Sequence, residues 1–272
     1  MLALIRMELY KLTWSRTVLL AGICIVAVYL AQSFIHYRWH DTMAWDSVTR
    51  FPYAAGAAYE GLLLLLVLPA CFIREREQGT EALLLSAKYG PNKGVAAKML
   101  AAAIYVTVVV IGCWILNIVV NISFAGWGGW ELPIQELQNY EKSPYALSVW
   151  QYVGIQVATN WIGCMVLALF TIYLSVVCKS SMTVLFIAGI VFALPFFVHN
   201  LSELSIPWAI KNAGMMEILR VQNLYNRSRF VWRGEWSMSL PLAGFYSYTV
   251  LLGLLCAVGA YRKGSRREVD SL

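Results

Sequence analysis

Charge is what this sequence has least of. Only 13% of its 272 residues are Asp, Glu, Lys or Arg, while 60% are apolar; an ordinary soluble domain carries roughly a quarter charged residues. A water-soluble fold could not cover its surface with so few charges, so lipid is expected to take the place of the missing polar face. The net charge of +6 does not point to nucleic acid, because the basic residues stand in short clusters between long apolar runs, as they do around the ends of membrane helices. There is no G-x-x-x-x-G-K-[ST] loop. The nearest text, Gly90-Pro91-Asn92-Lys93-Gly94, lacks both the spacing and the following hydroxyl, so no phosphate cradle is expected and ATP hydrolysis is not this chain's own chemistry. The cysteines Cys24, Cys71, Cys113, Cys164, Cys178 and Cys256 show no CxxC or zinc-ligand spacing and read as small core residues. No H-E-x-x-H, no G-x-S-x-G and no Glu-Glu pair within a span is present, which leaves an intramembrane enzyme without an assembled site. A stand-alone ion-coupled carrier would show more buried charge or a repeated half, and neither is visible.

What is present is hydrophobic length. A bilayer core of about 30 Å needs roughly 20 apolar residues per helix. The pattern predicts an all-α membrane protein, a bundle of six transmembrane helices over 17–35, 54–73, 99–122, 149–177, 183–199 and 241–261, in a single domain, 1–272. The first run has no small-x-small cleavage site at its end and reads as a span rather than a signal. Ahead of it, Leu2, Ile5, Leu9 and Leu12 recur at helical spacing with Arg6, Glu8, Lys11 and Arg16 between them. Residues 1–16 are therefore expected to form an amphipathic helix in the membrane interface. Basic clusters place one face in the cytoplasm with both termini: Arg6, Lys11 and Arg16; Arg74, Arg76, Lys88, Lys93 and Lys98; Lys179; and Arg262, Lys263, Arg266 and Arg267. The loop 200–239 is expected outside, against the charge rule, since it holds Lys211, Arg220, Arg227, Arg229 and Arg233.

Polar residues inside the expected spans are few. Glu60 is the one carboxylate. It is open to three readings: lining a pathway, pairing with a basic group such as Arg50, or sitting at the headgroups. Asn117 and Asn121, and Gln156 and Asn160, are each four apart and share a helix face. Hydrogen bonding between helices and lining a polar route are both open to them. Together Glu60, Asn117, Asn121, Gln156 and Asn160 are the candidate pathway residues.

The most informative polar stretch is 74–98. It continues the second span as a charged helix end, passes Gly79-Thr80, runs through the apolar piece 81–87, breaks at Gly90-Pro91 and re-enters the membrane after Lys98. A short apolar helix in such a loop needs something to bury it, lipid or another subunit.

The pattern E-x-E-x-G-T-x-x-x-L-L-L, followed by a Gly/Pro break and a Lys before the next span, resembles permeases of the ABC-2 type, whose architecture is type V exporter-like. It is carried here by Glu75, Glu77, Gly79, Thr80, Leu83, Leu84, Leu85, Gly90-Pro91 and Lys98. The resemblance implies that Glu75, Glu77, Gly79, Thr80, Glu81, Leu83, Leu84 and Leu85 form a coupling helix received by a cytosolic ABC ATP-binding subunit. It further implies that ATP and Mg bind that partner and not this chain. A second permease subunit, in a homodimer or heterodimer, would complete an export pathway in a bacterial plasma membrane. The substrate class it implies is broad: a peptide, an antibiotic or a lipid.

Overall fold

The computed structural model describes residues 1–40, 42–78, 90–138, 140–141, 143, 145–200, 230–231, 237–238 and 242–270. The chain begins with α1, Leu2–Thr13, whose heptad-like spacing buries Leu12 and Glu8 against the bundle. Tyr10 and Trp14 stay exposed, with their rings stacked 5.7 Å apart. Ser15 takes an extended conformation and caps α2, Arg16–Trp39, so the chain turns a corner between the two helices. At 24 residues, α2 is about 36 Å long.

The connection to the next span holds a helix that the sequence pattern does not predict, α3, Ala44–Phe51. The expected second span, 54–73, is also not one continuous helix. A π-helical turn at Pro52–Gly56 leads into α4, Ala57–Val67. A 3-10 turn at Leu68–Ala70 then precedes the short α5, Arg74–Glu77. Proline explains both irregularities, since Pro52 and Pro69 cannot donate the hydrogen bonds that a regular α-helix needs.

Next comes α6, Gly90–Ala125, with 36 residues and about 54 Å of length, more than a bilayer core needs. Gly126 and Gly129, at φ of +82° and +94°, turn the chain out of α6 into a folded cap over 126–148, where positive φ suits glycine. The cap has its own apolar centre, Ile134, Leu137 and Tyr140, all buried with Val149 and Tyr152. It is tied at its ends by Ile134 N–H to Leu147 O (2.9 Å) and Val149 N–H to Leu132 O (2.9 Å). It grips α3 as well. Gln138 N–H donates to Asp46 Oδ1 (3.0 Å), Arg50 Nη2 to Gln138 Oε1 (2.7 Å) and Trp45 Nε1 to the Trp127 carbonyl (3.3 Å).

The central element is α7, Val149–Val177, started by Gln151 Oε1 accepting the Ser148 N–H (3.1 Å). It is followed by α8, Ser181–Asn200, and α9, Leu242–Asp270. A two-residue antiparallel pair, Phe230–Val231 with Ser237–Met238, stands between these two helices in the chain. Helix α9 packs along α7 through small residues: a Cβ at Gly259 would lie 2.9 Å from Tyr173 Cε2. The same device brings α4 to α8, where a Cβ at Gly61 would lie 2.2 Å from Phe192 Cζ. Close approach through glycine is how membrane helices gain packing contact.

Three described helices, Arg16–Trp39, Lys93–Ala125 and Val149–Val177, are long and apolar enough to cross a membrane, and Ala57–Ala70 and Ser181–Ala193 are shorter apolar helices. Their outward faces are apolar too. Leu19, Leu20, Ile23, Phe34 and Ile35 of α2 and Val108, Ile115 and Val119 of α6 are exposed. Faces of this extent mark a membrane-associated chain, since a soluble monomer rarely exposes them.

Candidate functional site

Two polar assemblies stand out, one at the end of the bundle that carries α1 and one in its interior. The first is built on Glu75. The short helix Arg74–Glu77 follows α4 beyond the 3-10 turn, the first turns of α6 bring Lys98 beside it, and α1 brings Lys11. Lys11 Nζ donates to Glu75 Oε1 (3.1 Å) and to Glu8 Oε1 (2.7 Å), while Lys98 Nζ pairs with Glu75 Oε2. Lys98 is 5% exposed, and its ammonium also lies 4.7 Å from the centre of the Phe72 ring, a cation–π contact. One carboxylate thus joins three segments that are far apart in the chain.

Burial, the largest influence on Lys11, works against its charge. Glu8 and Glu75 together outweigh it and hold the pKa above the ordinary 10.5. Glu77, two residues on, accepts from Ser181 Oγ at the start of α8 (3.1 Å). The two glutamates of the sequence motif therefore tie the start of the 74–98 segment to α1, α6 and α8. Gly79, Thr80, Glu81, Leu83, Leu84 and Leu85 lie outside the described residues.

The second assembly is a column of buried polar side chains. Glu60 and Asn160, 100 residues apart in sequence, meet at 2.8 Å, Asn160 Nδ2 donating to Glu60 Oε2. Trp114 Nε1 donates to Asn160 Oδ1 (3.1 Å), and Cys164 Sγ donates to the same Glu60 oxygen (3.6 Å). Glu60 is fully buried, and its Oε1 has no hydrogen-bond partner. Of the three readings open to Glu60, the pairing with Arg50 is not the one formed: Arg50 lies on α3 and donates to Gln138 in the cap, whereas Glu60 faces α7.

Asn117 and Asn121 form a second knot. Tyr29 Oη donates to Asn117 Oδ1 (2.7 Å) and Tyr37 Oη to Asn121 Oδ1 (2.8 Å), both from α2. Asn121 Nδ2 donates back to Tyr29 Oη (3.0 Å) and Asn117 Nδ2 to the Val48 carbonyl (3.2 Å). Gln156 sits in a third, where its Nε2 donates to the Thr49 carbonyl (2.9 Å) and Tyr152 Oη donates to Tyr140 Oη (3.0 Å). Burial holds the Tyr140 hydroxyl well above the usual range of a phenol.

Glu60 and Asn160 thus meet, as do Asn117 and Asn121, and Gln156 stands with the cap. All five are buried within the chain and bonded between segments, an arrangement worth about 0.6–1.7 kcal/mol per contact in membrane bundles.

No protein-family model matches this chain, and no curated protein matches it. Its functional reading rests on these geometries and on the motif at 75–98.

The partners of the motif were partly readable. Lys11 lies on the polar face of a visibly amphipathic helix, and Lys98 stands at the foot of an apolar run. Tyr29, Tyr37, Thr49, Tyr140 and Ser181 carry no such signal, because each acts through a contact 12 to 107 residues away. Among the described residues no group of three or more His, Cys, Asp or Glu side chains is placed to hold a metal ion.

Proposed function

We propose that this chain is the membrane-spanning permease subunit of an ATP-driven exporter of ABC-2 type. It would span the membrane six times and pair with a second permease subunit. The ATP-binding subunit that drives it is a separate cytosolic protein. The observation that carries the reading is the double ion pair of Glu75 with Lys11 and Lys98. A force applied to the loop that follows Glu77 reaches the second span, the interfacial helix and the third span through one carboxylate, and α8 through Glu77 and Ser181. Such a junction converts a push on a loop into a concerted shift of helices, which a pathway alternating between two states needs. The Lys/Arg clusters support a cytoplasmic placement of this end, where the ATPase would be. The exported substrate is of the class that the resemblance implies, a peptide, antibiotic or lipid.

The test is co-expression with candidate ATP-binding subunits, followed by purification and ATP turnover in proteoliposomes. The wild-type chain should retain one such subunit and stimulate or restrain its turnover. Leu83→Asp with Leu84→Asp should release the subunit or uncouple it. If both the complex and its coupling survive that double change, the coupling assignment is wrong.

A second reading has one observation in its favour. Glu60, buried with one unpaired oxygen, is the kind of intramembrane carboxylate that proton-coupled carriers use. Substrate movement by the isolated chain without ATP, abolished in Glu60→Gln, would establish that reading in place of the first.

A further inference from the structure

The corner between α1 and α2 leaves a cleft whose chemistry matches a ligand. Because Ser15 is extended, α1 leaves the line of α2 and packs against α6, facing the end of α4 across a cleft. The space beneath the corner is a cavity of about 600 Å³, within the size range of small-molecule sites. Its floor is apolar, formed by Val18, Leu66, Val67 and Ala70. Its far wall is charged, with Lys11 and Glu75 already paired to each other and Arg74 beside them. A second cavity of about 520 Å³ adjoins it, sharing Met7 and Tyr10 and bordered by Leu2 and Arg6. Arg6 and Arg74 are both exposed, and neither guanidinium has an ion-pair or hydrogen-bond partner among the described residues. The stacked rings of Tyr10 and Trp14, 60% and 68% exposed, form the rim, the side chains that favour the boundary between headgroups and acyl chains.

We infer that this double cleft seats an anionic phospholipid of the leaflet that α1 contacts. The acyl chains lie on Val18, Leu66 and Ala70, and the phosphate meets Arg74 and Arg6. Charge complementarity selects the ligand. An apolar floor alone would take any hydrophobe, and two unpaired arginines alone would take any anion; the two together call for an amphiphile with a negative head. Glu8 and Glu75 do not cancel the attraction, because Lys11 and Lys98 already neutralise them. The inference stands on the membrane location of the chain and not on the transport reading.

The experiment is native mass spectrometry of the full chain released from nanodiscs of equimolar phosphatidylglycerol and phosphatidylcholine. The wild type should retain phosphatidylglycerol preferentially, by about fivefold for each arginine engaged. Arg6→Ala with Arg74→Ala should lose that preference while still retaining lipid. Ala70→Trp, which fills the floor, should lose retained lipid of both kinds. Where Ala70→Trp does not give a monodisperse helical protein, Leu66→Trp takes its place. Equal retention of the two lipids by the wild type would overturn the inference. So would an unchanged preference in the double arginine variant, or undiminished retention in the tryptophan variant. Displacement of the lipid by millimolar glycerol phosphate would show an anion site without an acyl seat, and would overturn it equally.

Discussion

Removing the charge of Glu75 should cost more than its place at a helix end suggests. In Glu75→Gln the shape is kept, but Lys98, 5% exposed, keeps a buried ammonium with no counter-charge. Breaking a buried pair from one side costs about 3–5 kcal/mol. The Glu75 side chain is 14% exposed, so the lower figure, about 3 kcal/mol, applies. Lys11 adds little, because its side chain is 35% exposed and pairs of that kind contribute about 0–1 kcal/mol. Lys98→Met should cost only about 1.5 kcal/mol, since Glu75 keeps Lys11 and the methionine still packs on Phe72. The double variant strands no charge and should lose about 2 kcal/mol, less than Glu75→Gln alone. The assay is reversible unfolding in mixed micelles, run as a double-mutant cycle. A coupling of about 2.5 kcal/mol is expected. If the two losses simply add, to within about 0.5 kcal/mol, Glu75 does not join α1, α5 and α6 as argued.

Other expectations follow from the same contacts. Asn121→Leu removes the acceptor for Tyr37 and a donor to Tyr29 and should cost about 1–2 kcal/mol in the same unfolding assay. Gly61→Ala drives a methyl into the Phe192 ring and should cost about 1–3 kcal/mol, with Phe192→Leu restoring most of the loss. Lys11 has a raised pKa in the folded chain. Its pairing therefore stabilises fully below pH about 10.5 and fades as pH climbs through the higher folded value. Fluorescence of Trp14 should accordingly be flat up to about pH 10 and change above it as α1 loosens.

The helices most legible in the sequence are those whose apolar length alone decides them. Residues 149–177 are one helix, Val149–Val177, and 17–35 lie within Arg16–Trp39. The spacing of Leu2, Ile5, Leu9 and Leu12 likewise falls on Leu2–Thr13. What could not be read depends on contacts between distant segments. Ala44–Phe51 has the composition of a loop, because Asp46 and Thr49 are polar. They are buried all the same, since the Gln138 N–H and the Trp45 carbonyl satisfy them. The break in 54–73 at Pro69 is written in the proline, but the apolar run around it masks the break. Glu60 stands out in the sequence as the lone carboxylate of its apolar run, and Asn160 as a polar residue of another, but no spacing rule connects residues 100 apart.

The most direct measurement is sidedness. In a cysteine-free background, single cysteines at Gln78, beside the Glu75 cluster, and at Gln135, in the 126–148 cap, would be probed with a membrane-impermeant thiol reagent on intact cells and on inverted vesicles. The account predicts that Gln135→Cys labels only from outside and Gln78→Cys only from the cytoplasmic side. Labelling of both positions from the same side would contradict it.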